Sequence, residues 1–132
     1  MKSRLLVLLF VGMLTFGVTA YAHHSFAGSY IEDKTVTIEG KVVQFDIRNP
    51  HSFINIEITG KDGKATRWGG EWGGVTQLSE GGVTRFTLKV GDRVIIDGAP
   101  SRDPDEHKVL IRKVTRPATA GNPEFTWGGT VR

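Results

Sequence analysis

Thr35-Val36-Thr37-Ile38-Glu39-Gly40-Lys41-Val42-Val43-Gln44-Phe45-Asp46-Ile47 alternates apolar and polar side chains and then changes phase. Val36, Ile38 and Val42 hold even positions, whereas Val43, Phe45 and Ile47 hold odd ones. A period of two is the mark of a half-buried strand. A one-residue slip turns every later side chain to the other face unless a bulge or bend absorbs it. Gly40 is a residue that tolerates such a bend. The economical solution is one long, bent strand that serves two parts of a single sheet.

The elements that follow fit that reading. Asn49-Pro50 ends the strand, because proline cannot donate to a ladder and restricts the residue before it. Residues 53–59 give a second strand, with Ile54, Ile56 and Ile58 inward and Asn55 and Glu57 outward. Lys61-Asp62-Gly63-Lys64 is a hairpin turn of the Asp-Gly type. A third strand runs over residues 65–72, with Trp68 and Trp72 on one face, although four glycines interrupt its end. Residues 75–80 are helical for one or two turns and stop at Gly81-Gly82. Leu88-Lys89-Val90-Gly91-Asp92 turns into a fourth strand over 93–98, residues 100–106 form a polar loop, and a fifth strand covers 109–115. The fold class expected is therefore all-β: a small five-stranded OB-like barrel with one short helix between strands 3 and 4. An immunoglobulin-like sandwich would want about seven strands.

Toward the N-terminus, residues 1–22 read as a cleavable signal peptide. Lys2 and Arg4 precede an apolar run over 5–16, and Ala20-Tyr21-Ala22 supplies small residues at the cut. That run is short of the roughly 20 residues a membrane span needs. The division expected is signal 1–22, N-terminal arm 23–34, barrel 35–117 and C-terminal tail 118–132. Phe26 and Tyr30 are placed to pin the arm, and Phe125 and Trp127 to fold the tail back. Export to the periplasm or beyond follows, with no stable membrane insertion after cleavage.

Processing changes the charge. Two of the 17 basic residues and none of the 14 acids lie in residues 1–22, so the formal charge falls from +3 to about +1 with histidines neutral. Nothing in that balance argues for nucleic acid as a partner. There is no cysteine, and both methionines precede the cut, so thiolate and thioether sites are excluded. Nitrogen and oxygen ligands remain, which suit copper(II), zinc or nickel.

Several of these segments together resemble a family of small exported bacterial proteins of unknown function. They are Ala22-His23-His24-Ser25-Phe26, Asn49-Pro50-His51, the Gly60–Lys64 turn followed by Trp68, and Leu88-Lys89-Val90-Gly91-Asp92. The resemblance covers most of residues 22–117 and implies export and a compact β domain. It implies no activity. Where relatives often carry a glutamate-rich or asparagine-bearing segment after Trp68, this chain has Gly69-Gly70-Glu71-Trp72-Gly73-Gly74.

The chemistry must come from residues. Cleavage after Ala22 would leave His23 first, so its terminal amine and ring could chelate one metal without any folding. Copper(II) favours such tetragonal nitrogen sites. A second imidazole would complete a three-nitrogen brace similar to those of copper monooxygenases and some periplasmic copper carriers. His51, at a loop mouth after Asn49-Pro50, is the best candidate, and His24 is the other. The plainer alternative is that these histidines are solvated and the function lies elsewhere. Phe53, Trp68 and Trp72 would then form a stacking face for a glycan, a peptide or a protein partner, or would simply fill the core. His107 adjoins the acidic loop residues 103–106 and reads as solvated. Catalysis is the weakest option. Glu71, Asp46 and His51 have acid–base chemistry, but their spacing matches no catalytic motif, and neither a Gly-x-Ser-x-Gly elbow nor a phosphate loop is present. The expectation is a binding protein, of copper(II) or of a small ligand.

Overall fold

A computed structural model describes residues 26–131. Six strands and one helix follow in order: β1 (Val36–Asp46), β2 (Ser52–Thr59), β3 (Ala65–Trp72), α1 (Val75–Glu80), β4 (Arg93–Pro100), β5 (Lys108–Arg116) and β6 (Phe125–Gly128). The sheet order is β3-β2-β1-β4-β5-β6, and β3 also pairs with β5. That extra pairing closes β1 to β5 into a barrel. The closing seam is parallel, through Gly69↔Lys108, Gly70↔Val109 and Glu71↔Leu110. The other pairings are antiparallel. The expected five-stranded barrel with its short helix is the architecture observed, and β6 is added to it from the C-terminal tail.

β1 serves both halves of the sheet. Its first part pairs with β4 from Val36↔Gly98 to Lys41↔Arg93, and its last part pairs with β2 from Lys41↔Glu57 to Asp46↔Phe53. The phase slip is a β-bulge between Val42 and Gln44, with Val43 the extra residue. Gly40 is not the bulge. It stands where β1 passes from one partner to the other, and a Cβ there would collide with the backbone carbonyl of Glu57.

The core follows from the alternation. Ile54, Ile56, Trp72, Val94, Ile96, Val109, Ile111 and Val114 are fully buried. Each such side chain contributes about 1.5–3 kcal/mol through its removal from water. Leu78 of α1 is buried too, and Trp127 of β6 meets Trp72 edge-on at 5.2 Å. Gly70 lets β3 close the barrel, since a Cβ there would lie 2.7 Å from Ile111 Cδ1 and 2.9 Å from Ile54 Cγ2. The glycine-rich departure after Trp68 thus sits at the seam. No helix among the described residues is long and apolar enough to cross a membrane.

Two straps position the rest. Residues 26–29 form a helical turn, and Tyr30 then bridges to Ser101. Ile31 N–H donates to Pro100 O, and Arg102 N–H donates to Ser29 O. At the β1–β2 loop, buried Ser52 accepts from Arg48 N–H and donates to Arg48 O, while Val75 N–H donates to Asn49 Oδ1. The loop is held against the start of α1.

Candidate functional site

The outer wall of the barrel beside this loop gathers three side chains far apart in sequence. Glu71 lies directly across from Phe53 in the β2–β3 ladder, on the side opposite Ile54 and Gly70. Its Oε1 lies 2.9 Å from His51 Nδ1, and its Oε2 accepts from the Tyr30 hydroxyl at 2.5 Å. One carboxylate thereby joins the N-terminal arm to the β1–β2 loop. His51 and Glu71 side chains are only 23% and 14% exposed, so this contact is shielded from bulk water.

The tautomer of His51 follows from this arrangement. A carboxylate that accepts on both oxygens requires the hydrogen of His51 to sit on Nδ1. The lone pair of the neutral ring is then on Nε2. Tyr30 stays a donor: burial, the hydrogen bond to Glu71 and the charges of Glu71 and Glu106 push its phenol far above its ordinary range. Phe26 lies over the His51 ring, with centroids 4.8 Å apart, and so carries the arm onto the same imidazole.

Other expected site residues fall in different places. His23 and His24 lie outside the described residues. Phe53 is half-buried on the outer wall, with the Arg48 guanidinium 4.8 Å from its ring centre. Trp72 is fully buried on the inner face, where it packs against Phe45 and Trp127. Trp68 is also on the inner face, opposite Ile56, is half-buried, and has its ring centre 5.0 Å from that of His107. The three aromatics therefore do not share one face. His107 is exposed and has that ring as a neighbour. Among the described residues, no group of three or more histidine, aspartate or glutamate side chains is placed to hold a metal ion.

Sequence reasoning missed Tyr30 as a partner of Glu71 and took it only as a pin for the arm. Residues 30, 51 and 71 have no spacing that announces a cluster. The β2–β3 register and the barrel seam bring them together.

A family model described as a family of unknown function (DUF6152) matches residues 11–110, and the chain belongs to that family. A search of curated proteins gave no match.

Proposed function

We propose that this DUF6152 protein is exported, is cut after Ala22, and binds copper(II) through the amine and ring of His23 together with Nε2 of His51. The observation that carries the reading is the 2.9 Å contact from His51 Nδ1 to Glu71. Metal-binding histidines characteristically give their second ring nitrogen to a carboxylate, which fixes the tautomer and raises the basicity of the ligating nitrogen. His51 is so held, and Glu71 is in turn held by Tyr30.

Chain geometry supports the remaining ligands. Phe26 touches His51, and His23 is three residues before Phe26. Three residues span at most about 10–11 Å, so the first amine and ring of a processed chain are within reach of His51. The described residues hold no complete cluster of their own. In this reading the other ligands of a site at His51 come from His23, with His24 assisting. The reading of Phe53, Trp68 and Trp72 as one stacking platform has no comparable support, because the rings lie on two faces.

The test uses two forms of the protein, one beginning at His23 and one with a single residue added in front, each titrated with copper(II) and followed by electron paramagnetic resonance. Tight binding by the first form and a loss of at least tenfold in the second are expected. Glu71→Gln in the first form is expected to lower affinity about 10–100-fold, as loss of an outer carboxylate partner does. Equal, weak binding by both forms overturns the proposal.

A further inference from the structure

A cleft of about 320 Å3 opens beside His51, lined by Arg48, Asn49, Pro50, His51 and Phe53. That size lies at the lower end of small-molecule sites. No acidic side chain lines it. The two acids nearest Phe53 in the ladder are engaged elsewhere: Glu71 with Tyr30 and His51, and Asp46 with the Gln44 amide. Arg48 therefore supplies the permanent positive charge of the wall. Among the described residues its guanidinium meets the Phe53 ring and no acceptor. Stacking on an aromatic face restrains the planar group while leaving its N–H edge open.

The loop below is fixed. Ser52, fully buried, ties the backbone of Arg48 from both its N–H and its carbonyl. Asn49 is tied to the start of α1. The floor of the cleft thus needs little ordering when a ligand enters, which lowers the cost of binding. Pro50 and the Phe53 ring supply apolar surface, and the His51 ring closes the wall.

From these features we infer that the cleft binds a small organic carboxylate. The carboxylate lies on the N–H edge of Arg48, and the apolar body lies against Pro50 and Phe53. A guanidinium fork matches a planar carboxylate with two parallel hydrogen bonds. A tetrahedral inorganic anion would gain the charge but not the apolar wall. The site stands on the cleft alone and does not require a metal at His51.

The experiment uses the processed protein, stripped of metal with a chelator and labelled with 15N. Benzoate is the probe, and inorganic phosphate at equal ionic strength is the comparison. Saturable amide shifts confined to residues 48–53 and their neighbours are expected, with a dissociation constant on the order of 1 mM. Arg48→Gln should weaken benzoate at least tenfold and Arg48→Lys by a smaller factor, with amide positions elsewhere unchanged as evidence of an intact fold. Three results would each overturn the inference: shifts that are scattered or do not saturate, phosphate binding as tightly as benzoate, or Arg48→Gln binding as tightly as the parent. Because the protein is metal-free, failure here leaves the copper proposal untouched, and failure of the copper titration leaves this one untouched.

Discussion

The two faces of the β2–β3 ribbon are built on different principles. The inner face holds Ile54, Ile56, Gly70 and Trp72, all buried, with contacts that depend on shape and volume. The outer face holds Phe53 and Glu71, and through Glu71 it reaches His51 and Tyr30. The inner side depends on filling space, and the outer side depends on which hydrogen goes to which oxygen. Substitutions should separate the two sharply, by stability on one side and by proton and ligand chemistry on the other.

Trp72→Ala is the largest expected effect. The ring is fully buried and packs against Phe45 and Trp127, so its loss leaves a cavity in the core. A destabilisation of about 3–5 kcal/mol is expected from urea unfolding. A cost below about 1 kcal/mol would mean that the tryptophan is not part of the core and would return it to the outer, functional side of the comparison.

Much of this inner face could be read in the chain beforehand. Period-two alternation marked Ile54, Ile56 and Ile58 as one side, and the phase change after Gly40 announced a bent first strand. The residue that absorbs the slip is not Gly40, the glycine that sequence reasoning expects at a distortion. Val43 takes the bulge, while Gly40 is needed for the close pass of the Glu57 carbonyl. The last strand was not legible either: Phe125–Gly128 is only 4 residues long, too short for periodicity to register. The outer cluster was legible only as single residues. His51 was singled out by its loop and Glu71 by its acidity, but their union with Tyr30 depends on register, which no local pattern encodes.

Tyr30 gives the second test. Its folded pKa is raised, so the folded state keeps a proton that the unfolded chain loses near pH ~10. Stability from this group is fully present below that value and falls as pH rises above it, where the unfolded state binds fewer protons. Of the two tyrosines in the chain, Tyr21 belongs to the segment expected to be removed, so tyrosinate absorbance in the processed protein reports Tyr30 alone. Ionisation should coincide with alkaline unfolding instead of preceding it. Tyr30→Phe should cost about 1.5–3 kcal/mol at neutral pH, the worth of a hydrogen bond to a charged group, and should flatten the alkaline slope. Titration near pH ~10 in the folded protein would break the outer network at its first link.

Phe53→Leu is the smallest expected effect on stability and the most direct probe of the boundary between the faces. Phe53 is half-buried in the same strand as fully buried Ile54, and composition alone would assign both to the core. Its neighbours argue otherwise: Asp46 and Glu71 flank it across the ladder, and Arg48 lies over its ring. Leucine keeps an apolar side chain on the wall and removes the aromatic face. The stability lost should be no more than about 1 kcal/mol, the scale of an exposed cation–π contact. The Arg48 guanidinium loses its restraint, so benzoate affinity should fall several-fold while the urea midpoint barely moves. A large stability loss would place Phe53 in the core and leave the outer wall without its apolar anchor. If neither quantity changes, the ring does not orient Arg48, and the cleft would have to select its ligand by charge alone.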